Sequence, residues 1–329
     1  MSFQGKVILV TGAGGFIGSH LIERLVREGA QVRAFVRYNS RHDAGLLALL
    51  PGELLASVEV IAGDLRDYEA VRKAMEGADI VYHLGALIAI PYSYKHPREV
   101  VETNIMGTLN VLMAARETGV GRVVHTSTSE VYGTAQTVPI AETHPLQGQS
   151  PYAASKIGAD KLAESFRRSF GLPVATVRPF NTYGPRQSAR AVIPTIITQV
   201  LSRDKVHLGA LTPMRDFTYV NDTVEGFLRA AMANAAVGQE VNLGTGACIS
   251  MGNLAERIMQ LVGRDLPVVT DEERLRPADS EVMRLQASTV KARALLGWEP
   301  RVSLDEGLKR TIAWIRENPG LYRPRVYEV

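Results

Sequence analysis

The chain has a single cysteine, Cys248, in 329 residues, so an intrachain disulfide is excluded and disulfide scaffolds with it. It has no run of about 18 apolar residues and no charged start leading into an apolar signal segment; the expectation is a soluble, cytoplasmic protein with no membrane partner. Runs of like charge are also missing. With 37 Lys and Arg against 34 Asp and Glu, the formal net charge is +3, too mild to support a nucleic-acid footprint or a polybasic membrane patch. The seven histidines are dispersed, there is no His-Glu-x-x-His, and Cys248 stands alone, so no metal is implied. No repeat of 20 to 50 residues and no low-complexity linker is present, which argues against a solenoid.

What is there is ordinary globular material, 46% hydrophobic and 22% charged, in a length that suggests about two domains at roughly 100 to 200 residues each. The 29 glycines are the one excess. Lys6-Val-Ile-Leu-Val10 reads as a strand, and Phe16, Ile17, Leu21, Ile22, Leu25 and Val26 follow a helical period that Gly29 closes. Further strands are predicted at Gln31 to Val36, Val58 to Ile61, Asp79 to His83, Arg122 to Thr126 and Val174 to Val177, with helices near 67–76, 97–118 and 151–170. Strands alternating with helices imply an α/β fold with a mostly parallel sheet covered on both faces. After Arg178 the rhythm loosens, a helix is predicted near 192–202, Glu240 to Leu243 reads as one more strand of the first sheet, and 288–317 as two short amphipathic helices.

Between the first strand and helix stands Thr11-Gly-Ala-Gly-Gly-Phe-Ile-Gly18, with Gly12, Gly15 and Gly18 in the spacing G-x-x-G-x-x-G. Glycines allow a tight turn and close backbone approach, and the helix N-terminus attracts a pyrophosphate. In this strand-to-helix context the loop predicts a dinucleotide site. At the end of the second strand an acid accepts the ribose hydroxyls of NAD. Here the stretch is Phe35-Val-Arg-Tyr-Asn-Ser-Arg41, with no carboxylate before Asp43. Arg37, Ser40 and Arg41 suit a 2′-phosphate, which favours NADP over NAD; a pair of strand-end arginines in solvent is the plain alternative. Asp64-Leu65 is either an adenine contact or, through Asp64, the cap of the following helix.

Tyr152 and Lys156, four residues apart in Ser150-Pro-Tyr-Ala-Ala-Ser-Lys156, share one helix face. A phenol serving as a base near neutrality needs a shift of about three units, roughly 4 kcal/mol, which a neighbouring ammonium and a positive nicotinamide ring would supply. Tyr-x-x-x-Lys alone is weak; after a nucleotide loop and the hydroxyl-rich His125-Thr-Ser-Thr-Ser-Glu-Val-Tyr-Gly133 it becomes strong.

Together with His83-Leu-Gly-Ala86, Asn104-Ile-Met-Gly-Thr108, Arg178-Pro-Phe-Asn181, Tyr183-Gly-Pro-Arg186, Arg215-Asp-Phe-Thr218 and Arg276-Pro277, these motifs make the chain resemble the extended short-chain dehydrogenase/reductases that act on nucleotide sugars. The resemblance covers nearly the whole length. It implies a Rossmann-like doubly wound sheet over residues 1–178 and about 220–250, with a smaller mixed α/β nucleotide-sugar domain formed by 179–219 and 251–329. It implies that Thr128 positions the sugar 4-hydroxyl, Tyr152 removes its proton and Lys156 holds the nicotinamide ribose, and it adds Leu84, Gly85, Ala86 and Pro179 to the cofactor site.

After Thr128 come Ser129 and Glu130, where simple 4-epimerases of this family carry small neutral residues. A carboxylate beside C5 abstracts the proton that a C4 ketone acidifies, and loss of the C6 hydroxyl follows. Thr-Ser-Glu resembles GDP-mannose 4,6-dehydratases and equally UDP-glucuronate decarboxylases. The second strand end, and Phe180 to Arg190, resemble dehydratases that prepare N-acetylglucosamine nucleotides for nonulosonic acids. The expectation is therefore a nucleotide-sugar 4,6-dehydratase with a tightly bound NADP or NAD. A 4-epimerase, a decarboxylase and a 5,6-ene-forming dehydratase are enzyme alternatives, and a dinucleotide-sensing regulator is the non-enzyme one.

For the substrate phosphates, Asn181, Arg186, Arg215 and Arg276 are candidates. Pro91, in Ile90-Pro-Tyr-Ser-Tyr94, is placed at the hexose pocket, with Tyr92 and Tyr94 either lining it or packing. His83 and His125 read as buried hydrogen-bonded residues rather than catalysts. Helices 97–118 and 151–170 imply, by resemblance, a homodimer through a four-helix interface; burial within the subunit explains their apolar faces nearly as well.

Overall fold

The computed structural model describes residues 2–322; the last positions of the predicted second unit, 323–329, lie outside the described residues. Strand β1 (Val7–Thr11) leads through the glycine loop into helix α1 (Phe16–Arg27). Then follow β2 (Gln31–Arg37), β3 (Val58–Gly63), β4 (Ile80–His83), β5 (Arg122–Thr126) and β6 (Val174–Pro179). With Glu240–Leu243 they form one parallel seven-stranded sheet in the order Glu240–Leu243, β6, β5, β4, β1, β2, β3. All four residues of β4 and all but one of β5 are buried, as expected of strands covered on both faces. One apolar core takes Ile8, Val10, Leu21 and Ile22; the other face takes Leu9, Val81, Val111 and Val123.

The chain leaves β1 toward β2 and β3, then returns to the other side of β1 with β4. At such a reversal the loops after neighbouring strands part, and a crevice opens at the carboxyl ends of β1 and β4. The glycine loop is placed on one side of it and the segment after His83 on the other.

Helix Pro151–Phe170 matches its prediction, with Ser150 accepting from the Ala153 N–H at 3.1 Å, Pro151 in the first turn and Gly171 left-handed at its end. The predicted helix 97–118 is interrupted. It runs as Pro97–Val101, a π-turn Glu102–Met106, and Gly107–Glu117. Inside the π-turn Asn104 is buried, accepting from Leu87 N–H at 2.8 Å and donating to Leu87 O and Ser155 Oγ, both at 2.9 Å. The extra residue in that turn lets the side chain reach the loop after β4, a local constraint that periodicity does not record.

Beyond β6 the short strands Asn181–Tyr183 and Phe217–Tyr219 pair in parallel, and helices Val192–Ser202, Met251–Val262 and Leu304–Glu317 join the first core cluster. Helix Val220–Met232 bridges to the C-terminal segment through Asp222. Its carboxylate accepts the N–H groups of Arg301 and Val302 at 3.0 and 2.9 Å, and its carbonyl accepts the Trp298 indole at 2.8 Å. An Asp222→Ala substitution leaves two part-buried N–H groups without an acceptor, at about 1–3 kcal/mol each; thermal unfolding is expected to show a clearly lowered Tm, and an unchanged Tm would contradict the bridge.

Candidate active site

A cavity of about 610 Å³ opens at the crevice. The glycine loop, Arg37 and Asn39, Leu84 and Ala86, Thr126 to Glu130, Tyr152, and Pro179 to Thr182 line it. Gly12 has φ +69°, and a Cβ there would stand 2.7 Å from the Gly85 nitrogen; a Cβ on Gly18 would stand 2.4 Å from Gly12 O. The loop is thus closed against Leu84-Gly85 as tightly as backbone allows, and Gly15, Phe16 and Ile17 bring the start of α1 to the cavity wall. This cradle fits a dinucleotide pyrophosphate.

Gly85 N–H donates to Thr11 Oγ1 at 3.1 Å, Thr11 Oγ1 meets His83 Nδ1 at 2.8 Å, and His83 Nε2 meets Thr108 Oγ1 at 3.0 Å. Thr108 Oγ1 itself donates to Asn104 O at 2.6 Å. Because Thr108 spends its proton on Asn104, His83 carries a proton on Nε2, and the neutral ring accepts from Thr11 at Nδ1. Burial, and then the charges of His125 and Lys156, hold its pKa well below the ordinary value. His83 is a strut between the glycine loop and the helices.

At the predicted ribose end, Arg37 Nη2 lies 3.4 Å from Glu99 Oε1, and Asn39 and Asp43 line the cavity beside it. Ser40 and Arg41 are not among the lining residues; the Arg41 N–H is tied to Asn39 Oδ1 at 3.1 Å. Asp64 forks onto Arg66, with Oδ2 2.6 Å from Nη2, and the hydrogen bonds from Arg66 hold its carboxyl low. The cap of helix Tyr68–Met75 is Asp67, not Asp64. Leu65 packs under Gly85, where a Cβ would stand 2.7 Å from its Cδ1.

Thr128, two residues past the end of β5, caps a single 3₁₀ turn, Ser129–Tyr132, its Oγ1 accepting the Glu130 N–H at 3.3 Å. That turn carries Ser129 and Glu130 into the lining, and Glu130 is only 9% exposed. Tyr152 faces them from its helix. Burial pushes its phenol up and a hydrogen bond with the Thr128 side chain opposes this. Lys156, one turn further along and buried, donates from Nζ to Thr126 O at 2.6 Å. Burial lowers its pKa to about 8, with the Asp160 charge working in the other direction. His125 is fully buried, its Nε2 3.1 Å from Asp160.

The predicted phosphate ligands separate. Asn181 lines the cavity with a buried Oδ1 that has no protein partner. Arg215 is buried, with Nη2 3.2 Å from Glu281 Oε1. Arg276 Nη1 lies 3.7 Å from the same Glu281 and 3.9 Å from Glu130 Oε2. Asp216 fixes this corner by collecting the N–H groups of Thr245, Gly246 and Ala287 at 2.8, 2.9 and 3.1 Å. None of the three arginines is among the lining residues, and Arg186 stands apart from the other two: at φ +68° its guanidinium pairs with Glu23 of α1 at 2.6 Å. Pro91 opens the short helix Ile90–Lys95 and is absent from the lining; Tyr92 bonds Glu99, and Tyr94 OH meets Ser280 Oγ at 2.6 Å. Sequence reasoning missed Glu99, Glu281 and Asp160. Only Asp160 had a signal, eight residues after Tyr152 on the same helix.

The chain matches the family described as GDP-mannose 4,6 dehydratase over residues 9–311. It is 33% identical over 315 residues to a UDP-glucose 4-epimerase of Mycolicibacterium smegmatis, covering 94% of this chain and 98% of that one. Among solved structures, a dTDP-glucose 4,6-dehydratase of Streptomyces venezuelae with NAD bound superposes with TM-score 0.87 at 31% identity, covering 97% of this chain and 99% of that one. An NAD-dependent NDP-hexosamine 5,6-dehydratase involved in tunicamycin biosynthesis superposes with TM-score 0.84 at 29% identity, covering 95% and 98%.

If Lys156 acts as an ammonium, its charge is present below a pH of about 8 and lost above it. Turnover is then expected to fall as pH rises through that value. Lys156→Arg, which stays charged, is expected to remove this alkaline limb whatever its maximal rate; a limb that persists in the arginine variant would reassign it.

Proposed function

Because the chain belongs to the GDP-mannose 4,6-dehydratase family, we propose that it is a nucleotide-sugar 4,6-dehydratase acting on a nucleoside diphosphate N-acetylglucosamine. The observation that carries this reading is Glu130, a part-buried carboxylate in the cavity, two residues from Thr128 and across from Tyr152. An epimerase that rotates a keto sugar needs no base at C5.

Thr128 and Tyr152 receive the 4-hydroxyl, and Tyr152 takes its proton as the C4 ketone forms. A nicotinamide cofactor held by the glycine loop would supply the hydride chemistry that links oxidation at C4 to reduction at C6. Glu130 removes the C5 proton made acidic by the ketone. The C6–O bond breaks as the hydroxyl takes up a proton and leaves as water, for which Glu130, now protonated, is the acid at hand, since Ser129 is a poor one. C5 is then reprotonated by a solvent proton relayed through the Glu130 carboxylate, and Tyr152, which keeps the C4 oxygen in register, releases to solvent the proton it took from the 4-hydroxyl. Arg215 and Arg276, with Asn181, are the phosphate ligands in this reading; Arg186, paired with Glu23, drops out.

A 5,6-ene product is the second reading, favoured by Ser129 standing where glucose-type dehydratases carry an acid. Both products have lost one water, so mass separates them from an epimer but not from each other. Proton NMR of C6 does, since a methyl marks the keto-deoxy sugar and vinyl protons mark the ene. The expectation is loss of water with a C6 methyl; an isomer of unchanged mass would refute the dehydratase. For Glu130→Gln, cofactor reduction should survive while solvent deuterium exchange at C5 stops and turnover drops on the order of 10²-fold or more.

The cofactor is read as NADP through Arg37, with NAD, the dinucleotide bound in the Streptomyces venezuelae structure, as the alternative. Calorimetric titration is expected to show tighter NADP binding that Arg37→Ala erases; tighter NAD would assign the ribose end to Asn39 and Asp43. A homodimer through the helices near 97–117 and 151–170 belongs to the same reading, supported by the exposed apolar side chains Val101 and Met106.

A further inference from the structure

Tyr152, Lys156 and Asp160 recur every four residues on helix Pro151–Phe170, which lines them along one face. Tyr152 reaches the cavity and Lys156 lies one turn deeper. Asp160, one turn further along, is equally buried at 4% exposed, where a carboxylate persists only with compensation. Its Oδ2 accepts from Ser127 Oγ at 2.7 Å and from Arg178 Nε and Nη2 at 3.2 and 3.0 Å; its Oδ1 meets His125 Nε2 at 3.1 Å.

These partners alternate with the reactive ones. His125 and Ser127 flank Thr126, whose carbonyl holds Lys156, and Ser127 precedes Thr128, which bonds Tyr152. Arg178, on β6, also donates from Nη1 to Tyr132 OH at 3.0 Å, and Tyr132 OH donates to Asn242 Oδ1 at 2.7 Å. Tyr132 sits on the turn that carries Ser129 and Glu130. One carboxylate therefore ties together the helix of Tyr152 and Lys156, the strand end of Thr128 and, through Arg178, the turn of Glu130.

We propose that Asp160 is a positioning residue for the reaction: it fixes the Thr128 strand end against the Tyr152–Lys156 helix face and supplies the fixed negative charge that keeps Lys156 an ammonium. The charged and titratable groups around it are Tyr152 and Lys156 from its own helix, His125 from β5, Arg178 from β6, Tyr132 and Glu130 from the 3₁₀ turn, and His83 from β4. His125 is held neutral by burial, and Asp160 is held ionised because the His125 hydrogen bond and the charges of Arg178 and Lys156 outweigh burial. That leaves Lys156 and Arg178 as two buried cations sharing one carboxylate. The charge of Asp160 is also what raises Lys156 against its burial, and it raises Tyr152.

The inference rests on the assignment of Tyr152 and Lys156 as the reacting pair, which Tyr152→Phe tests separately: full turnover in that variant sinks the assignment, whatever Asp160 does. With that variant inactive, Asp160→Asn decides the inference. Removing a negative charge lowers the Lys156 pKa, so the alkaline limb of the kcat–pH profile is expected to move to lower pH by about one unit. KM for the nucleotide sugar is expected to change less than about twofold, because Asp160 touches neither substrate nor cofactor. Asp160→Glu, which restores the charge, is expected to return that limb. A lowered plateau with an unmoved alkaline limb means a merely structural residue and overturns the proposal. If Asp160→Asn yields no folded protein, Ser127→Ala carries the test: the charge stays and the tie to the strand end is cut, so kcat is expected to fall about tenfold with the alkaline limb and KM in place, and an unchanged kcat refutes the positioning role.

Discussion

The physical constraint behind this site is the cost of keeping cations out of water. Lys156 and Arg178 are both buried between the sheet and helix Pro151–Phe170, and each needs an acceptor or a counter-charge. Lys156 takes the Thr126 carbonyl and Arg178 takes Asp160. Because those acceptors lie on different elements, meeting the electrostatic demand also fixes the elements against one another. The carboxyl end of β5 is held at one spacing from the helix, and the turn bearing Glu130 inherits that spacing through Tyr132.

A second constraint is the open parallel sheet. Its strands all finish on the same edge, and the reversal between β3 and β4 leaves that edge uncovered at β1 and β4. A glycine loop can lie flat there only because Gly12 and Gly18 lack Cβ atoms that would strike Gly85 and the loop's own carbonyls. The His83 strut then joins this phosphate cradle to Thr108 and, through it, to the Asn104 π-turn, so the cofactor side and the helix side of the cavity are rigidly related.

The local parts of this were legible in the residues. Apolar β-branched runs located six strands of the sheet and the seventh at Glu240–Leu243, because a doubly covered strand needs a continuous apolar run whatever surrounds it. The spacing of Tyr152 and Lys156 put them on one face before any packing was known. Other assignments depended on partners far along the chain. Arg186 meets Glu23 across 163 positions and Arg37 meets Glu99 across 62. Glu281 neutralises Arg215 from a segment with no motif of its own. The break of the helix near 97–118 followed from one buried asparagine seeking the loop after β4.

The sequence by itself determined the α/β alternation, the glycine cradle and the identity and order of the hydroxyl, phenol, ammonium and carboxylate groups, since all of these follow from periodicity and spacing within single elements. Only the tertiary structure decided which carboxylate each arginine meets, and which one stands behind the lysine. Charge pairing in a low-dielectric interior is set by distances between elements, and those distances exist only once the sheet and helices have packed.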